Sequence, residues 1–341
     1  MGNMLERDNI RELFEQFKGL RVLILGDVMI DAYLWGKVER ISPEAPVPVV
    51  ALKKRENRMG GAANVALNIQ GMGATPILCS VIGKDEKGAQ FLDLLKEKEM
   101  TCAGILESSQ RITTIKYRII GNNAQLLRVD EEQEQDLAAA ETQALFEGVS
   151  KMIKAGKADV VVFEDYDKGV ITPALIHQVT SLAHEYSIPV VVDPKKKNFL
   201  HYRDADLFKP NLKELREGLK LDSDPETNEA TREAIGILQK KLGARMVMAT
   251  LSDKGIVYLL SKNSSQPDFE HIPAHFRQIA DVSGAGDTVI SIAALCLAAG
   301  ASATITARLA NLAGGLVCEH VGVVPVNREQ LLQEALEIFS K

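Results

Sequence analysis

The spacing of apolar residues predicts alternating strands and helices along most of the chain. The run at 21–25 is short, continuous and apolar, which is typical of a strand buried on both faces. Further strands are predicted at 76–82, at Ile105, and at 159–163, 189–192, 207–208, 246–249, 256–260 and 270–272. Helices are predicted at 5–17, 62–71, 86–98, 137–154, 172–186, 229–242, 287–299 and 302–320. This order predicts an α/β fold with a doubly wound, mostly parallel sheet flanked by helices.

Two stretches depart from this pattern. Residues 33–52 contain Pro43, Pro46 and Pro48, which exclude a helix and an inner strand. Residues 112–120 alternate between apolar and polar positions, and 125–129 reads as another strand. We expect these stretches, about 33–52 and 111–130, to form short edge strands of a small β lid outside the main sheet.

Composition limits the class of protein. The 341 residues are 46% hydrophobic and 25% charged, so we expect a single folded domain spanning 1–341. The net charge of −6 argues against nucleic acid or an anionic membrane as the main partner. The sequence contains no apolar stretch of transmembrane length and no signal-peptide pattern, which predicts a cytoplasmic protein. Its four cysteines lack a CxxC pair and are interpreted as reduced core residues.

Several predicted strands end in polar residues. These are Asp27, Glu164 with Asp165, Asp193, Asn211 with Glu214, and Thr250 with Ser252. The carboxyl ends of parallel strands meet at one edge of a sheet, where open α/β sheets bind ligands. We therefore expect one site at this edge, with Asp31 close to it.

A glycine-rich turn precedes the long apolar helix near the C-terminus. Gly284, Ala285 and Gly286 present backbone N–H groups at a helix start, which attracts anions. Asp287 lies on the same turn, where it would accept a proton from a reacting hydroxyl. Because the helix dipole favours its ionised form, we expect Asp287 to be a weak base.

A second glycine pair, Gly60 and Gly61, precedes another helix and allows close approach of the backbone. Asn64 on its first turn is suited to a pair of hydroxyls, although plain helix initiation explains it equally well. Neither glycine-rich turn completes a G-x-G-x-x-G or G-x-x-x-x-G-K-[ST] motif, and this excludes a dinucleotide-dependent oxidoreductase. The six histidines are scattered and form no metal-ligand pattern.

These motifs resemble those of the ribokinase-like (PfkB) sugar kinases. The stretch 281–288 resembles their C-terminal signature, 60–64 their sugar-binding glycine motif, and 210–214 their N-x-x-E motif. The stretches 26–31, 40–49, 165–169 and 193–195 further resemble D-glycero-β-D-manno-heptose-7-phosphate kinases. In many Gram-negative bacteria, that kinase is the first half of a bifunctional ADP-heptose synthesis enzyme. The nucleotidyltransferase half is absent from this sequence, so a separate partner enzyme is expected.

The resemblance implies ATP-dependent phosphorylation of the anomeric hydroxyl of heptose 7-phosphate, with Mg²⁺ as cofactor. Asp287 would be the base, and Gly284, Ala285 and Gly286 would bind the transferred phosphoryl group. Asn211 and Glu214 would hold Mg²⁺ through water. The substrate would be bound by Asp27, Asp31, Gly60, Gly61, Asn64, Lys116, Arg118, Arg128, Asp165 and Lys168, with Lys195 as a further candidate for its phosphate. The nucleotide would be bound by Asn211, Glu214, Thr250, Ser252, Gly255 and Asn311.

Glu164 and Leu251 depart from the pattern of these kinases, which commonly have Ser and Arg there. Two alternatives stay open at this point: a kinase of another sugar, sugar phosphate or nucleoside, and a non-catalytic sugar- or nucleotide-sensing module. The apolar run at 47–52 on a lid edge further predicts a homodimer formed through the lid.

Overall fold

The computed structural model describes residues 2–122, 124–225, 227–261 and 268–339, with residues 2–8 described by their backbone alone. The strands are β1 (Arg21–Gly26), β2 (Val28–Ile41), β3 (Pro48–Gly61), β4 (Thr75–Gly83), β5 (Ile105–Ser108), β6 (Ile115–Gly121), β7 (Ala124–Glu131), β8 (Val160–Glu164), β9 (Val190–Asp193), β10 (Leu207–Phe208), β11 (Met246–Thr250), β12 (Ile256–Leu260) and β13 (Asp268–Ile272). The helices are α1 (Gly2–Phe17), α2 (Ala62–Gly71), α3 (Glu86–Glu97), α4 (Ala139–Lys154), α5 (Pro173–Glu185), α6 (Leu212–Leu219), α7 (Asn228–Leu242), α8 (Ala285–Ala298), α9 (Ala303–Val317) and α10 (Arg328–Ile338).

The main sheet has the strand order β13-β12-β11-β10-β9-β8-β1-β4-β5. The strands from β11 to β5 pair in parallel, and β12 and β13 add an antiparallel edge. The central strand β1 is apolar on both faces because both are covered. Val22 and Ile24 pack into one core cluster and Leu23 and Leu25 into the other. The predicted doubly wound, mostly parallel sheet is confirmed.

This topology brings the predicted polar strand ends together. The strands β11, β10, β9, β8 and β1 are consecutive neighbours, so their carboxyl ends form one edge of the sheet. Asp193 pairs in register with Glu164, and Asn211 forms an isolated bridge with Thr250. The helix α8 begins above this edge and contacts both β8 and β9.

The lid differs from its prediction. It is a four-stranded sheet in the order β3-β2-β6-β7, and β2 is an inner strand that begins as early as Val28. Both β2 and β3 are 14 residues long, so neither is short, although β3 does lie at an edge of the lid sheet as predicted. The prolines did not exclude them because Pro43 and Pro46 lie in the connecting turn and Pro48 is the first residue of β3. Asp31 consequently lies on the lid, not at the edge of the main sheet.

Two helices were not predicted, α6 and α10. The signal for α6 was present in the sequence, because Asn211 and Glu214 form a capping box at its start. The four thiols are free, with Cys79, Cys296 and Cys318 buried and Cys102 half-buried. Among the helices of the described ranges, none combines the length and apolarity needed to cross a bilayer.

Candidate functional site

The carboxylate of Asp287 is held in place from two sides. It lies in the first turn of α8 and is buried. The hydroxyl of Tyr166 donates a hydrogen bond of 2.8 Å to its Oδ1, and Nδ2 of Asn64 donates one of 2.6 Å to its Oδ2. These donors come from the loop after β8 and the first turn of α2. Three separate elements therefore fix the orientation of one acidic side chain.

Burial changes the basicity of Asp287. It raises the pKa of this carboxyl to about 6, and nearby Asp193 acts in the same direction, while the hydrogen bonds from Asn64 and Tyr166 act against it. The expectation of a weak base, drawn from the helix dipole, was therefore wrong. The dipole contributes about 0.3–1 kcal/mol near a helix end, which is less than one pKa unit.

The glycine turn before α8 has the geometry of an anion site. Gly284 takes a φ of +80°, a conformation that glycine adopts without strain. The N–H of Ala285 already donates to the carbonyl of Val282. The N–H groups of Gly286 and Asp287 are then the first-turn donors that find no backbone acceptor within the described ranges. A Cβ on Gly286 would lie 3.7 Å from Nζ of Lys209, so an ammonium group lies beside this turn.

Acidic side chains surround the same point. Glu164 and Asp193, from the ends of β8 and β9, each place a carboxylate oxygen within 4.8 Å of one on Asp287. Lys209 forms an ion pair of 2.9 Å with Oδ2 of Asp193. Both oxygens of Glu164 and Oδ1 of Asp193 are buried without a hydrogen-bond partner in the described parts of the chain.

The N-x-x-E pair has a structural role at the start of α6. Oδ1 of Asn211 accepts from the N–H of Glu214, and Oε2 of Glu214 accepts from the N–H of Asn211. The other carboxylate oxygen of Glu214 accepts from Nζ of Lys195 at 2.6 Å. Since both oxygens of Glu214 already have partners, the residues fit a magnesium ion held through water, which retains much of its hydration shell.

The four predicted nucleotide-side residues lie along the next strand end and on α9. Thr250 ends β11, and Ser252 begins a short 3-10 turn with a φ of +57°. Gly255 has no room for a side chain, because a Cβ would lie 2.1 Å from the carbonyl oxygen of Ile272. Nδ2 of Asn311 donates to the carbonyl of Pro273, so this side chain fixes the loop after β13.

The inner face of the lid carries charged and aromatic side chains around Asp31. Arg118 donates a hydrogen bond of 2.5 Å to Oδ1 of Asp31. The guanidinium groups of Arg118 and Arg58 both lie over the ring of Tyr33, at 5.3 and 4.7 Å from its centroid. A Cβ on Gly322 would lie 3.0 Å from Arg58, so this part of the lid contacts the loop after α9.

Gly60 and Gly61 are required by packing. A Cβ on Gly60 would lie 2.3 Å from Oδ2 of Asp31, and one on Gly61 would lie 2.4 Å from the carbonyl oxygen of Asp27. Gly61 also takes a φ of +61°. Their backbone therefore sets the position of Asp31 and the start of α2.

Three predicted substrate residues have other partners. The carboxylate of Asp27 accepts from the N–H groups of Tyr166, Lys168 and Val170, so it organises the loop after β8. Asp165 accepts from the side chains of Tyr202 and Asn198, and Nζ of Lys168 is paired with Glu132 and Glu134. Direct binding of substrate by Asp27, Asp165 and Lys168 is not supported by these contacts.

The remaining basic candidates differ in exposure. The side chain of Arg128 is 54% exposed and pairs with Asp130 on its own strand. Lys116 is more buried and lies 3.9 Å from Glu132. Lys116 and Arg118 are two residues apart on β6, as predicted, opposite Asp31 and Tyr33 of β2 respectively. Arg118 is thus the basic candidate with a direct contact to a predicted substrate residue.

Three side chains of the site were given no role from the sequence: Tyr166, Lys209 and Arg58. Glu164 was expected at this edge, as the structure shows, but was also given no role. Tyr166 lies in the stretch 165–169, in which only Asp165 and Lys168 were assigned a role. Arg58 is opposite Asp31 in the register of β2 and β3. The sequence contains no pattern from which this pairing could be predicted. Lys209 directly follows the short strand β10. Its position close to Asn211 in the sequence could have indicated that it lies at the same edge of the sheet.

Comparison with known proteins gives consistent matches over most of the chain. A family model described as pfkB family carbohydrate kinase matches residues 20–330. A protein of Citrifermentans bemidjiense named bifunctional protein HldE is 38% identical over 97% of this chain, and one of Caulobacter vibrioides with the same name is 40% identical over 95%. The chain spans 66% and 65% of the length of these two relatives.

Solved structures share the fold at low identity. A tetrameric inhibited form of phosphofructokinase-2 from Escherichia coli superposes with a TM-score of 0.77 at 18% identity, covering 95% of this chain and 100% of that chain. A ribokinase of Arabidopsis thaliana, complexed with ribose and ATP, superposes with a TM-score of 0.69 at 19% identity, covering 92% and 99%. These likenesses confirm the predicted ribokinase-like fold.

Proposed function

Because the chain belongs to the pfkB family of carbohydrate kinases, we propose that it transfers the γ-phosphate of ATP to the anomeric hydroxyl of D-glycero-D-manno-heptose 7-phosphate. The product is heptose 1,7-bisphosphate, for the synthesis of ADP-heptose and the lipopolysaccharide core. The observation that carries the proposal is the buried carboxylate of Asp287, fixed by Asn64 and Tyr166 at a glycine turn. A sensing module has no need of a base whose orientation is fixed in this way.

Asp287 accepts the proton of the sugar hydroxyl. Its raised pKa, about 6, improves its match to a proton donor while leaving it ionised at neutral pH. The anomeric hydroxyl is more acidic than an ordinary alcohol, which suits a carboxylate base. The N–H groups of Gly286 and Asp287, together with Lys209, would stabilise charge on the transferred phosphoryl oxygens.

ATP supplies the phosphoryl group, and Mg²⁺ neutralises part of its charge. Glu214 would hold the ion through water, with Lys195 keeping its carboxylate in place. The nucleotide would lie against the end of the neighbouring strand, in contact with Thr250, Ser252 and Gly255. Phosphoryl transfer depends mainly on positioning, so residues that fix these loops matter as much as those that touch the phosphates.

The substrate would lie between the sheet edge and the lid. Asp31 would accept sugar hydroxyls, and Arg118 and Arg58 would face the phosphate at the far end of the sugar. We propose that residues 1–341 form one kinase domain with β2, β3, β6 and β7 as its lid. A nucleotidyltransferase would then act in the same pathway. The cytoplasmic location stays a prediction from the sequence.

The proposal is tested by ADP release with synthetic anomers of D-glycero-D-manno-heptose 7-phosphate. We expect one anomer to give a higher kcat/KM than fructose 6-phosphate, ribose or a nucleoside, because the lid arginines recognise a phosphate on a longer sugar. A higher kcat/KM for another member of this panel would reassign the substrate within the family. No turnover with any member would favour the sensing module.

We also propose that two copies pair through their lids. Leu127 and Val129 lie on one face of β7, and their side chains are 55% and 45% exposed. Leu52 on β3 is 43% exposed. Such apolar positions on lid strands are better explained by a partner than by solvent.

We expect light scattering to give twice the 37.3 kDa mass of the chain. The substitution Leu127→Glu should shift the mass toward that of the monomer, since it places a charge on the proposed contact. Lys154→Glu, on α4 outside the lid, serves as the control and should leave the mass unchanged. A monomeric wild-type protein at micromolar concentration would contradict the proposal.

A further inference from the structure

Glu164 is buried beside the base without a partner for its charge. It ends β8, its side chain is inaccessible to solvent, and neither carboxylate oxygen has a hydrogen-bond partner in the described residues. Oδ1 of Asp193 also lacks a partner there, and that residue is 3% exposed. Buried carboxylates normally have hydrogen bonds, ion pairs or a bound metal. Two such groups facing the same point therefore indicate a binding position for a positively charged group.

The charges near this point do not balance. Lys209 pairs with Asp193, and Lys195 pairs with Glu214. If all of these groups and Asp287 and Glu164 are ionised, two ammonium groups face four carboxylates. Two negative charges are then left over, which one divalent cation would balance.

We propose that Glu164 and Asp193, with Asp287 at one side, form a direct site for a hard divalent cation such as Mg²⁺ or Mn²⁺, and that it fills without nucleotide. The ligand atoms are carboxylate oxygens, which these ions prefer. Oxygens on opposite sides of Mg²⁺ lie at most about 4.2 Å apart, given bonds of about 2.1 Å. The three oxygens lie within 4.8 Å of one another, so side-chain rotations must bring them closer, because neighbouring ligands of an octahedral ion are only about 3 Å apart.

This site is separate from the one assigned to Glu214. There both carboxylate oxygens already accept hydrogen bonds, so the cation would be held through water and by the nucleotide. At Glu164 both oxygens are free to bind a cation directly. The occupied site would also reduce the repulsion between this acidic group and an incoming polyphosphate, which is strong in a buried setting.

The test is a titration of the full-length protein with Mn²⁺ in the absence of sugar and nucleotide, followed by the electron paramagnetic resonance signal of free Mn²⁺. We expect one ion bound per chain. Glu164→Gln keeps the shape of the side chain but removes its charge, and it should weaken binding at least about tenfold. The matched control is Glu132→Gln, which changes a partly buried glutamate paired with Lys168 and should leave the affinity unchanged.

Thermal unfolding separates metal binding from misfolding. Mn²⁺ should raise the Tm of the wild type but not that of Glu164→Gln, and the variant without metal should be at least as stable as the wild type, because a repelling carboxylate is gone. A wild type that binds no Mn²⁺ without nucleotide would show that Glu164 is instead kept protonated and would overturn the proposal. An unchanged affinity in Glu164→Gln would overturn it as well. Since no sugar or ATP is present, these outcomes are independent of the heptose assignment.

Discussion

Replacing Asp287 with asparagine is expected to lower kcat by about 10²–10⁴-fold, the usual contribution of a general base. The fold should survive, because asparagine can keep both hydrogen bonds of the carboxylate. Its Oδ1 would accept from Tyr166, and its amide would donate to Oδ1 of Asn64, which has no hydrogen-bond partner among the residues that the structure describes. This requires only that the Asn64 amide turn over. The measurement is steady-state ADP release, with the Tm as a check of folding.

The pH profile provides the control for this prediction. In the wild type, kcat/KM should fall about tenfold per pH unit on the acid side, with a midpoint at or below about 6, because a protonated Asp287 cannot accept the hydroxyl proton and a cation bound beside it would lower its pKa. The phosphate of the substrate also titrates near pH 6, but it does so equally in both enzymes. In Asp287→Asn, the residual activity should therefore fall less steeply at low pH, because the variant has no carboxylate at position 287 to protonate. Identical profiles, or an unchanged kcat, would remove Asp287 from the catalytic role.

The sheet and its functional edge could be predicted because the information is local. Continuous apolar runs such as 21–25 mark strands covered on both faces, and parallel pairing then aligns their polar ends. The lid could not be predicted in the same way. The stretch 53–58 of β3 is polar and mostly exposed, so it lacks the apolar alternation that marks a strand. The inner position of β2 depends on its pairing with β6, which is distant in sequence.

The roles of the individual acidic residues could not be predicted from their positions in the sequence. Asp27 and Asp31 are four residues apart in sequence but have different partners. The carboxylate of Asp27 accepts hydrogen bonds from three N–H groups of residues 166–170, whereas that of Asp31 accepts one from Arg118. Which carboxylate stays available depends on a loop about 140 residues away. The basicity of Asp287 is similar, because burial by several elements outweighs the local helix dipole.

The substitution Arg118→Met is expected to lower kcat/KM for the sugar phosphate by about 30-fold or more, mostly through KM. Arg118 is paired with Asp31, and its side chain is 17% exposed. Removing one member of a buried, hydrogen-bonded charge pair costs about 2–5 kcal/mol, and partial exposure favours the lower end. Arg118→Lys, which retains the charge, should recover part of the loss, and a Tm measurement checks the fold.

Arg128→Met is the matched control, because Arg128 is opposite Arg118 in the register of β6 and β7 but is exposed. We expect it to change kcat/KM by no more than about 5-fold, as for surface ion pairs. Comparing heptose 7-phosphate with the unphosphorylated heptose then separates two roles. If Arg118 binds the phosphate, Arg118→Met impairs the phosphorylated sugar more, whereas equal losses mean that Arg118 acts by positioning Asp31. A larger effect of Arg128→Met would place the phosphate on the outer part of the lid and contradict the assignment.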